Sequence, residues 1–206
     1  MTRTILIDPL APEREALDEA AAVLREGGLV AFPTETFYGL GAAALQPSAV
    51  RRVLAVKGRP QGKPLLVLVD SIAMVDAVAL AVPPRGRALM ARYWPGPLTL
   101  VLPARPGLPD GVTAGSGTVG VRLSAHPVAR GLVHALGEPV TAPSANPAAV
   151  AAPTTAAQVQ AHFGARIELV LDGGATAGGE PSTVLDVTVD PPRLVRPGAV
   201  RLPQCE

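Results

Sequence analysis

Cysteine is almost absent from this chain of 206 residues, since the single thiol is Cys205, next to the C-terminus. One thiol excludes a disulfide within the chain and argues against a cysteine-based metal site or nucleophile. A reducing, cytoplasmic location is therefore the expected one. The three histidines, His126, His134 and His162, are scattered along the sequence, and none has a partner at metal-ligand spacing.

Long apolar runs and an excess of charge are also missing. Apolar residues make up 48% of the chain, but proline or charge interrupts every run well before the ~18 residues that a membrane helix needs. The N-terminal stretch has no long apolar core and becomes acidic early, so we expect neither a signal peptide nor a membrane contact. The net charge is +1, which leaves no global basic field for nucleic-acid binding, and a polyanion would need a local patch.

Acidic residues are missing from one stretch in particular, which extends from residue 36 to residue 69. Five cations lie in this stretch: Arg51, Arg52, Lys57, Arg59 and Lys63. Glycine and proline separate the last three cations and restrict the backbone between them. Positive charge without a local counter-charge predicts a site for an anion such as phosphate or carboxylate. The alternative is a solvated basic loop.

Strand-like and helix-like stretches alternate along the chain. Apolar runs predict strands at residues 4–7, 29–32, 65–69, 98–102, 118–123, 139–142, 167–171, 182–187 and 193–195. Helical spacing predicts helices at residues 16–24, 47–56, 85–93 and 127–136, and another that Thr154 or Thr155 caps and that ends near residue 162. Residues 104–117 are expected to form a loop. We therefore predict one α/β domain over residues 1–206, with a large twisted mixed sheet flanked by helices.

Two glycine-rich stretches resemble nucleotide-binding motifs without meeting their requirements. Residues 115–120 match G-x-G-x-x-G, but a loop precedes them and a strand follows, whereas a dinucleotide site needs a strand before and a helix after. Gly62-Lys63 resembles the end of a phosphate loop, but the spacing is wrong and Pro64 replaces the hydroxyl residue that would meet magnesium. No serine, histidine and aspartate set is evident either, so covalent catalysis is not indicated.

Polar residues stand at the ends of several predicted strands. Arg122 ends one apolar strand, the sequence TAPSAN (residues 141–146) follows another, and Arg196 follows a third. A buried arginine needs an anionic or carbonyl partner, whereas PSAN on its own could equally be an ordinary turn. Ligands of open α/β sheets gather at strand ends. These residues and the basic stretch therefore predict one shared binding site.

Seven stretches, in the same order, resemble the YrdC-type threonylcarbamoyl-AMP synthases: GGLVAFPTETFYGLG, KGRPQGKPLLV, YWPGPLTLVL, GTVGVRL, APSAN, PSTVLD and RPGAV. The resemblance extends over about residues 16–200. It implies a concave, electropositive sheet face and a nucleotidyltransferase that makes threonylcarbamoyl-AMP and pyrophosphate from L-threonine, bicarbonate and ATP. It also implies Mg²⁺ bound with the ATP, and use of the product in tRNA modification with partner proteins.

The resemblance also assigns residues by motif position. The L-threonine side would consist of Thr36, Arg122, the backbone near Ala142, and Ser182. The ATP side would consist of Arg59, Lys63, Thr118, Ser144, Asn146 and Arg196. Lys57 and Arg59 are the expected catalytic residues because they would neutralise charge on the reacting phosphates. No metal ligand from the protein is expected.

The sequence departs from the family pattern after PSAN. Ala148, Ala149 and Ala152 stand where the family often has a Ser-Gly pair and a later serine, so we expect one or two hydroxyl contacts to a nucleotide to be missing there. This departure keeps one alternative open, namely a divergent paralogue that acts as an RNA-binding or nucleotide-binding module, with weak RNA binding. A third interpretation is carbamoyl transfer within a larger maturation enzyme, which the lack of a zinc-finger or acylphosphatase-like segment disfavours.

Overall fold

The computed structural model describes residues 1–58 and 62–202. Within these residues the chain forms ten strands and six α-helices. In chain order they are β1 (Arg3–Leu6), α1 (Arg14–Arg25), β2 (Val30–Phe32), β3 (Gly39–Gly41), α2 (Pro47–Lys57), β4 (Val67–Leu68), α3 (Pro84–Tyr93), β5 (Leu98–Pro103), α4 (Asp110–Thr113), β6 (Thr118–Arg122), α5 (Pro127–Leu136), β7 (Val140–Thr141), α6 (Ala156–Phe163), β8 (Leu169–Asp172), β9 (Thr183–Asp186) and β10 (Arg193–Arg196).

The strands form two sheets of mixed direction. The first has the order β1-β8-β2-β3, and the second has the order β10-β9-β5-β6-β4-β7. In the first sheet β8 is parallel to β1 and β2, whereas β3 is antiparallel to β2. In the second sheet β4 is parallel to β6 and antiparallel to β7. The predicted α/β class and the mixed strand directions are confirmed.

The two sheets meet edge to edge along β3 and β7. Leu40 donates its N–H to the Pro143 carbonyl at 2.8 Å, and Thr141 donates its N–H to the Ala42 carbonyl at 2.9 Å. Pro143 has no N–H to continue this ladder. The Thr141 hydroxyl fills the gap, because it accepts from the Ala42 N–H at 2.9 Å and donates to the Leu40 carbonyl at 3.2 Å. The ten strands thus form one continuous layer.

Helices cover both faces of this layer at β2. In β2, Val30 and Phe32 pack in one buried cluster with α1 and α5, while Ala31 belongs to a second cluster with α2 and α6. Successive side chains of a strand point to opposite faces, so a strand that is buried on both faces is apolar at every position. This explains why the apolar runs of the sequence identify the central strands.

Three local features differ from the sequence-based predictions. β3 was not predicted, since two of its three residues are glycines, which carry no side chain to reveal a strand pattern. The predicted loop at residues 104–117 contains the single helical turn α4. The strand predicted at residues 65–69 forms a ladder only at Val67–Leu68, because Leu65 donates its N–H to the Gly111 carbonyl instead.

Candidate functional site

A cavity of about 770 Å³ opens between the β2–β3 turn, the segment before β4, and the ends of β6, β7, β9 and β10. The cavity collects most of the residues that the sequence predicted, although these lie far apart along the chain. Seven of them line it: Thr36, Lys63, Arg122, Ala142, Ser144, Ser182 and Arg196. Three of the seven are cations, and none of the described lining residues is an aspartate or a glutamate.

Four predicted residues are not among those that line this cavity. Arg59 lies outside the described residues. Thr118 begins β6, whereas Arg122 ends the same strand, so about 13 Å of extended chain separates them. The Thr118 hydroxyl instead lies 2.8 Å from the hydroxyl of Ser116. Lys57 and Asn146 lie behind the cavity wall, and the roles given to all four residues stay predictions.

Lys57 and Asn146 fix the shape of the PSAN turn from beneath. The Lys57 side chain is buried, and Nζ donates to the carbonyls of Ser144 and Asn146, each at 2.5 Å. Nδ2 of Asn146 donates to the carbonyls of Pro147 and Val150 at 3.0 and 2.6 Å. These bonds hold the turn in the conformation that exposes Ser144 to the cavity.

Arg122 is buried at the cavity wall and makes few hydrogen bonds with the described residues. Its side chain is 5% exposed, and Nη2 lies 2.7 Å from Oε1 of Glu35. Glu35 is thus the partner of Nη2, whereas in the described part of the chain no residue accepts a hydrogen bond from Nε. Buried N–H groups of folded proteins are nearly always paired. This guanidinium therefore indicates a ligand with acceptor oxygens, and a carboxylate matches its two-pronged geometry.

Sequence reasoning missed Glu35, the counter-charge of Arg122. The Glu35 carboxylate accepts a hydrogen bond from the Ser124 hydroxyl and another from the Ala125 N–H, the latter at 3.3 Å. Burial alone would raise the pKa of Glu35, but the charge of Arg122 and the bond from Ser124 outweigh burial and lower it. A signal was available, because a buried arginine needs a counter-charge and Glu35 is the acid immediately before the acid-free stretch.

His126 stabilises the start of α5, and the stability that it contributes depends on pH. Its Nδ1 accepts a hydrogen bond from the Val128 N–H at 3.3 Å. Burial lowers the pKa of His126 below the usual 6.5, and the nearby charge of Glu35 opposes this shift only in part. As the pH falls below 6.5, the unfolded chain takes up a proton that the folded chain still refuses, so stability decreases until the folded pKa is reached.

We expect the melting temperature to fall between pH 7 and pH 5 by more in the wild-type protein than in His126→Asn. The asparagine keeps an acceptor at the start of α5 but cannot be protonated. Thermal unfolding followed by circular dichroism at half-unit pH steps provides the measurement. Equal slopes for the two proteins would contradict the prediction, and the variant also controls for all other groups that titrate in this range.

Ser182 joins the two sides of the cavity. Arg196 donates from Nε and Nη2 to the Ser182 carbonyl, at 3.1 and 2.8 Å, and from Nη2 to the Ser182 hydroxyl at 3.0 Å. The same hydroxyl lies 3.0 Å from that of Thr99, and both side chains are buried. A residue predicted for the nucleotide and a residue predicted for threonine are therefore in direct contact.

The PTET turn supplies two hydroxyls, those of Thr34 and Thr36. Thr34 donates its hydroxyl proton to the Phe37 carbonyl at 2.7 Å, and its oxygen lies 3.1 Å from the Thr36 hydroxyl. Because a hydroxyl has one proton to donate, Thr36 must be the donor of the second bond. The Thr36 oxygen thus keeps its acceptor capacity for a ligand N–H or O–H group. Thr34 also lines the cavity and was not predicted.

The described residues offer no set of protein ligands for a metal ion. Residues 1–58 and 62–202 contain no cluster of three histidine, cysteine, aspartate or glutamate side chains that could bind one. Magnesium takes oxygen ligands, usually with one or two protein carboxylates, and the described cavity lining has no carboxylate. Across the same residues, no helix combines the length and the hydrophobicity of a membrane span.

The fold and the site define an α/β protein whose cavity suits small polar ligands, at least one of them carrying a carboxylate or phosphate. Comparison with known proteins agrees with this class. Residues 22–198 match the model of the Sua5/yciO/yrdC family, described as "Telomere recombination". The chain belongs to this family.

Curated relatives and a solved structure are similar over nearly the whole chain. Threonylcarbamoyl-AMP synthase from Pyrococcus abyssi is 45% identical over 198 residues, 94% of this chain and 58% of that protein. The protein of that name from Bacillus subtilis is 43% identical over 200 residues, 97% of this chain and 58% of that protein. The crystal structure of P. abyssi Sua5 complexed with L-threonine matches with a TM-score of 0.92 at 44% identity, covering 96% of this chain and 58% of that chain. The chain thus spans less than two thirds of each of these relatives.

Proposed function

We propose that this chain is an L-threonylcarbamoyladenylate synthase, which makes threonylcarbamoyl-AMP from L-threonine, bicarbonate and ATP. The observation that carries the proposal is the single cavity lined by Arg122, Lys63 and Arg196 together with small hydroxyls. Relatives named threonylcarbamoyl-AMP synthase and the threonine complex of P. abyssi Sua5 support it. A cytoplasmic location and a supply of the product to tRNA modification belong to the same proposal.

The reaction needs no covalent intermediate on the protein. The α-amino group of threonine combines with bicarbonate to form a carbamate, with release of water and a proton. A carbamate oxygen then attacks the α-phosphorus of ATP, a new P–O bond forms, and the bond to the β-phosphate breaks as pyrophosphate leaves. What the protein must supply is proximity of the two anions and positive charge near the phosphates.

The cavity residues suit these tasks. Arg122 would bind the threonine carboxylate, since it lines the cavity and no described residue accepts a hydrogen bond from its buried Nε–H group. The acceptor oxygen of Thr36 would take a hydrogen bond from the ammonium or hydroxyl group of threonine. Lys63 and Arg196 would bind phosphate oxygens, as arginine and lysine commonly do. Magnesium accompanies ATP in such reactions, and its ligands here would be phosphate oxygens and water.

The test is threonine-dependent release of pyrophosphate, measured with ATP and bicarbonate present and with each substrate omitted in turn. We expect release only when all three substrates are present. Lys63→Ala should reduce the rate, whereas Arg51→Ala should not, because Arg51 is an exposed cation of the same basic stretch that does not line this cavity. Release that is equal without threonine, or absent with it, would overturn the proposal.

The alternative of an RNA-binding module makes a different prediction. Binding of an RNA duplex by lysine and arginine weakens steeply as salt rises, because counterions are released from the phosphates. Filter binding of a tRNA between 50 and 300 mM salt would reveal this dependence. A net charge of +1 does not favour this alternative, and neither do relatives named as synthases.

A further inference from the structure

Arg122, one of the cations that line the cavity, forms an ion pair with Glu35. Arg122 lines the cavity, and Glu35 lies behind it, with Nη2 and Oε1 2.7 Å apart. Glu35 is not among the residues that line the cavity, and its side chain is 19% exposed. The pair therefore presents a guanidinium to a ligand, while a fixed negative charge remains within a few ångströms of it.

We propose that Glu35 is a positioning residue that makes the Arg122 end of the cavity select a zwitterionic α-amino acid over carboxylates that lack an ammonium group. The proposal rests on the proposed function, because it takes the ligand of Arg122 to be the carboxylate of threonine. It adds a second requirement, namely that the ligand also carries a positive charge next to that carboxylate.

Neighbouring residues hold the Glu35 carboxylate in place. One carboxylate oxygen accepts from the Ser124 hydroxyl, and the other accepts from the Ala125 N–H at 3.3 Å and lies 2.7 Å from Arg122. Both donors belong to the turn between β6 and α5, which directly follows Arg122. Hydrogen bonds to the charged form and a nearby cation keep a carboxyl group ionised. The lowered pKa of Glu35 agrees with this geometry.

The charges around Arg122 favour a ligand that carries an ammonium group beside its carboxylate. A carboxylate that binds Arg122 must share one guanidinium with Glu35, so two like charges lie close together beside a buried arginine. Like charges at such separations disfavour each other strongly. An α-ammonium group two bonds from the ligand carboxyl carbon offsets this repulsion, and Thr36 offers it an acceptor oxygen. The Arg122–Glu35 pair carries no net charge and therefore matches a zwitterionic ligand, which carries none either.

Glu35 also affects the orientation of the Arg122 guanidinium and its attraction for anions. Nη2 of Arg122 lies 2.7 Å from the Glu35 carboxylate and no described residue accepts a hydrogen bond from Nε, so the ion pair contributes to the orientation of the guanidinium. Removing the charge of Glu35 while keeping its shape would leave an arginine that attracts any anion. Selectivity, rather than simple affinity, is therefore the property that reports on Glu35.

The test compares two ligands by isothermal titration calorimetry, L-threonine and 3-hydroxybutanoate, which is threonine without its amino group. We expect wild-type protein to bind threonine at least about tenfold more tightly than 3-hydroxybutanoate. A charge interaction that shifts a pKa by one unit corresponds to about this factor in an equilibrium constant. In Glu35→Gln the ratio should fall at least about fivefold, because threonine binds more weakly and 3-hydroxybutanoate more tightly. Glu168→Gln is the matched control, since it removes the charge of another carboxylate that pairs with an arginine, Arg52, away from the cavity lining, and it should retain the wild-type ratio.

Four outcomes would overturn the proposal. An unchanged ratio in Glu35→Gln would show that the charge does not select the ligand, and an equal loss of the ratio in Glu168→Gln would show that the loss is not specific to Glu35. If Glu35→Gln does not fold, the wild-type protein still decides, because equal affinity for the two ligands overturns the proposal without any variant. Wild-type protein that binds no threonine overturns this proposal and the proposed function together. Threonine binding without pyrophosphate release overturns the proposed function alone.

Discussion

Replacing Arg122 with methionine is expected to abolish measurable threonine binding and to lower the free energy of unfolding by about 3 kcal/mol. Loss of binding follows because hydrogen bonds to a charged group contribute about 1.5–3 kcal/mol each, and a guanidinium can make two of them to one carboxylate. Loss of stability follows because Glu35 would remain largely buried without its partner, and breaking a buried ion pair costs about 3–5 kcal/mol. We choose the lower figure because the Glu35 side chain is 19% exposed.

The double variant Arg122→Met/Glu35→Gln separates these two effects. Replacing both partners of a buried pair is often close to neutral for stability, so we expect its unfolding free energy to return to within about 1 kcal/mol of the wild-type value. Threonine binding should stay lost. Urea unfolding and calorimetry measure the two quantities independently. Recovery of threonine binding in the double variant would show that Arg122 does not bind the carboxylate.

Gly198→Ala is expected to disrupt the Arg196 end of the cavity and to destabilise the fold by about 1–3 kcal/mol, as overpacking does. An added Cβ would lie 2.2 Å from the Pro181 carbonyl oxygen and 2.7 Å from the backbone of Ser182. These are backbone atoms and cannot rotate away. The segment after β10 must move, so the bond from the Ala199 N–H to Pro181 and those from Arg196 to Ser182 should lengthen or break.

Gly120→Ala is the matched control for this variant. Its Cβ would meet Thr99 at 3.5 Å, which is an ordinary contact, and Gly120 lies within a strand. Alanine there should change the unfolding free energy by no more than about 0.5 kcal/mol. Urea denaturation of both variants, together with the ATP dependence of pyrophosphate release, provides the comparison. A fully stable Gly198→Ala protein with unchanged ATP dependence would contradict the packing argument.

The order of helices and strands was predictable because local signals marked their ends. Pro47 begins α2, and Thr155 and Gln158 form a capping box at the start of α6. The G-x-G-x-x-G match was rejected for its context, and the structure confirms a strand there instead of a helix, since β6 begins at Thr118, within the match. The junction of the two sheets could not be predicted, since it depends on a hydroxyl of Thr141 that replaces a backbone donor across the interface.

The location of the site was predictable, but the roles of single residues were not. The rule that ligands gather at strand ends brought Arg122, Ser144 and Arg196 to one cavity. The rotation of α2 decides whether Lys57 faces the cavity or the turn beneath it, and packing of the whole helix sets that rotation. Glu35 and Arg122 are distant in sequence, so the need of a buried arginine for a counter-charge made Glu35 a candidate, but only the fold could show that the two residues pair.

The sheet order also determines when the fold can be completed during synthesis. β8 pairs with both β1 and β2, with Leu169 opposite Arg3 and Val30. Because the ribosome adds about 5–20 residues per second, the N-terminal strands emerge on the order of ten seconds before their partner exists. Val30, Ala31 and Phe32 are all fully buried in the finished molecule. A nascent chain therefore leaves one edge of this apolar strand unpaired until β8 has been translated.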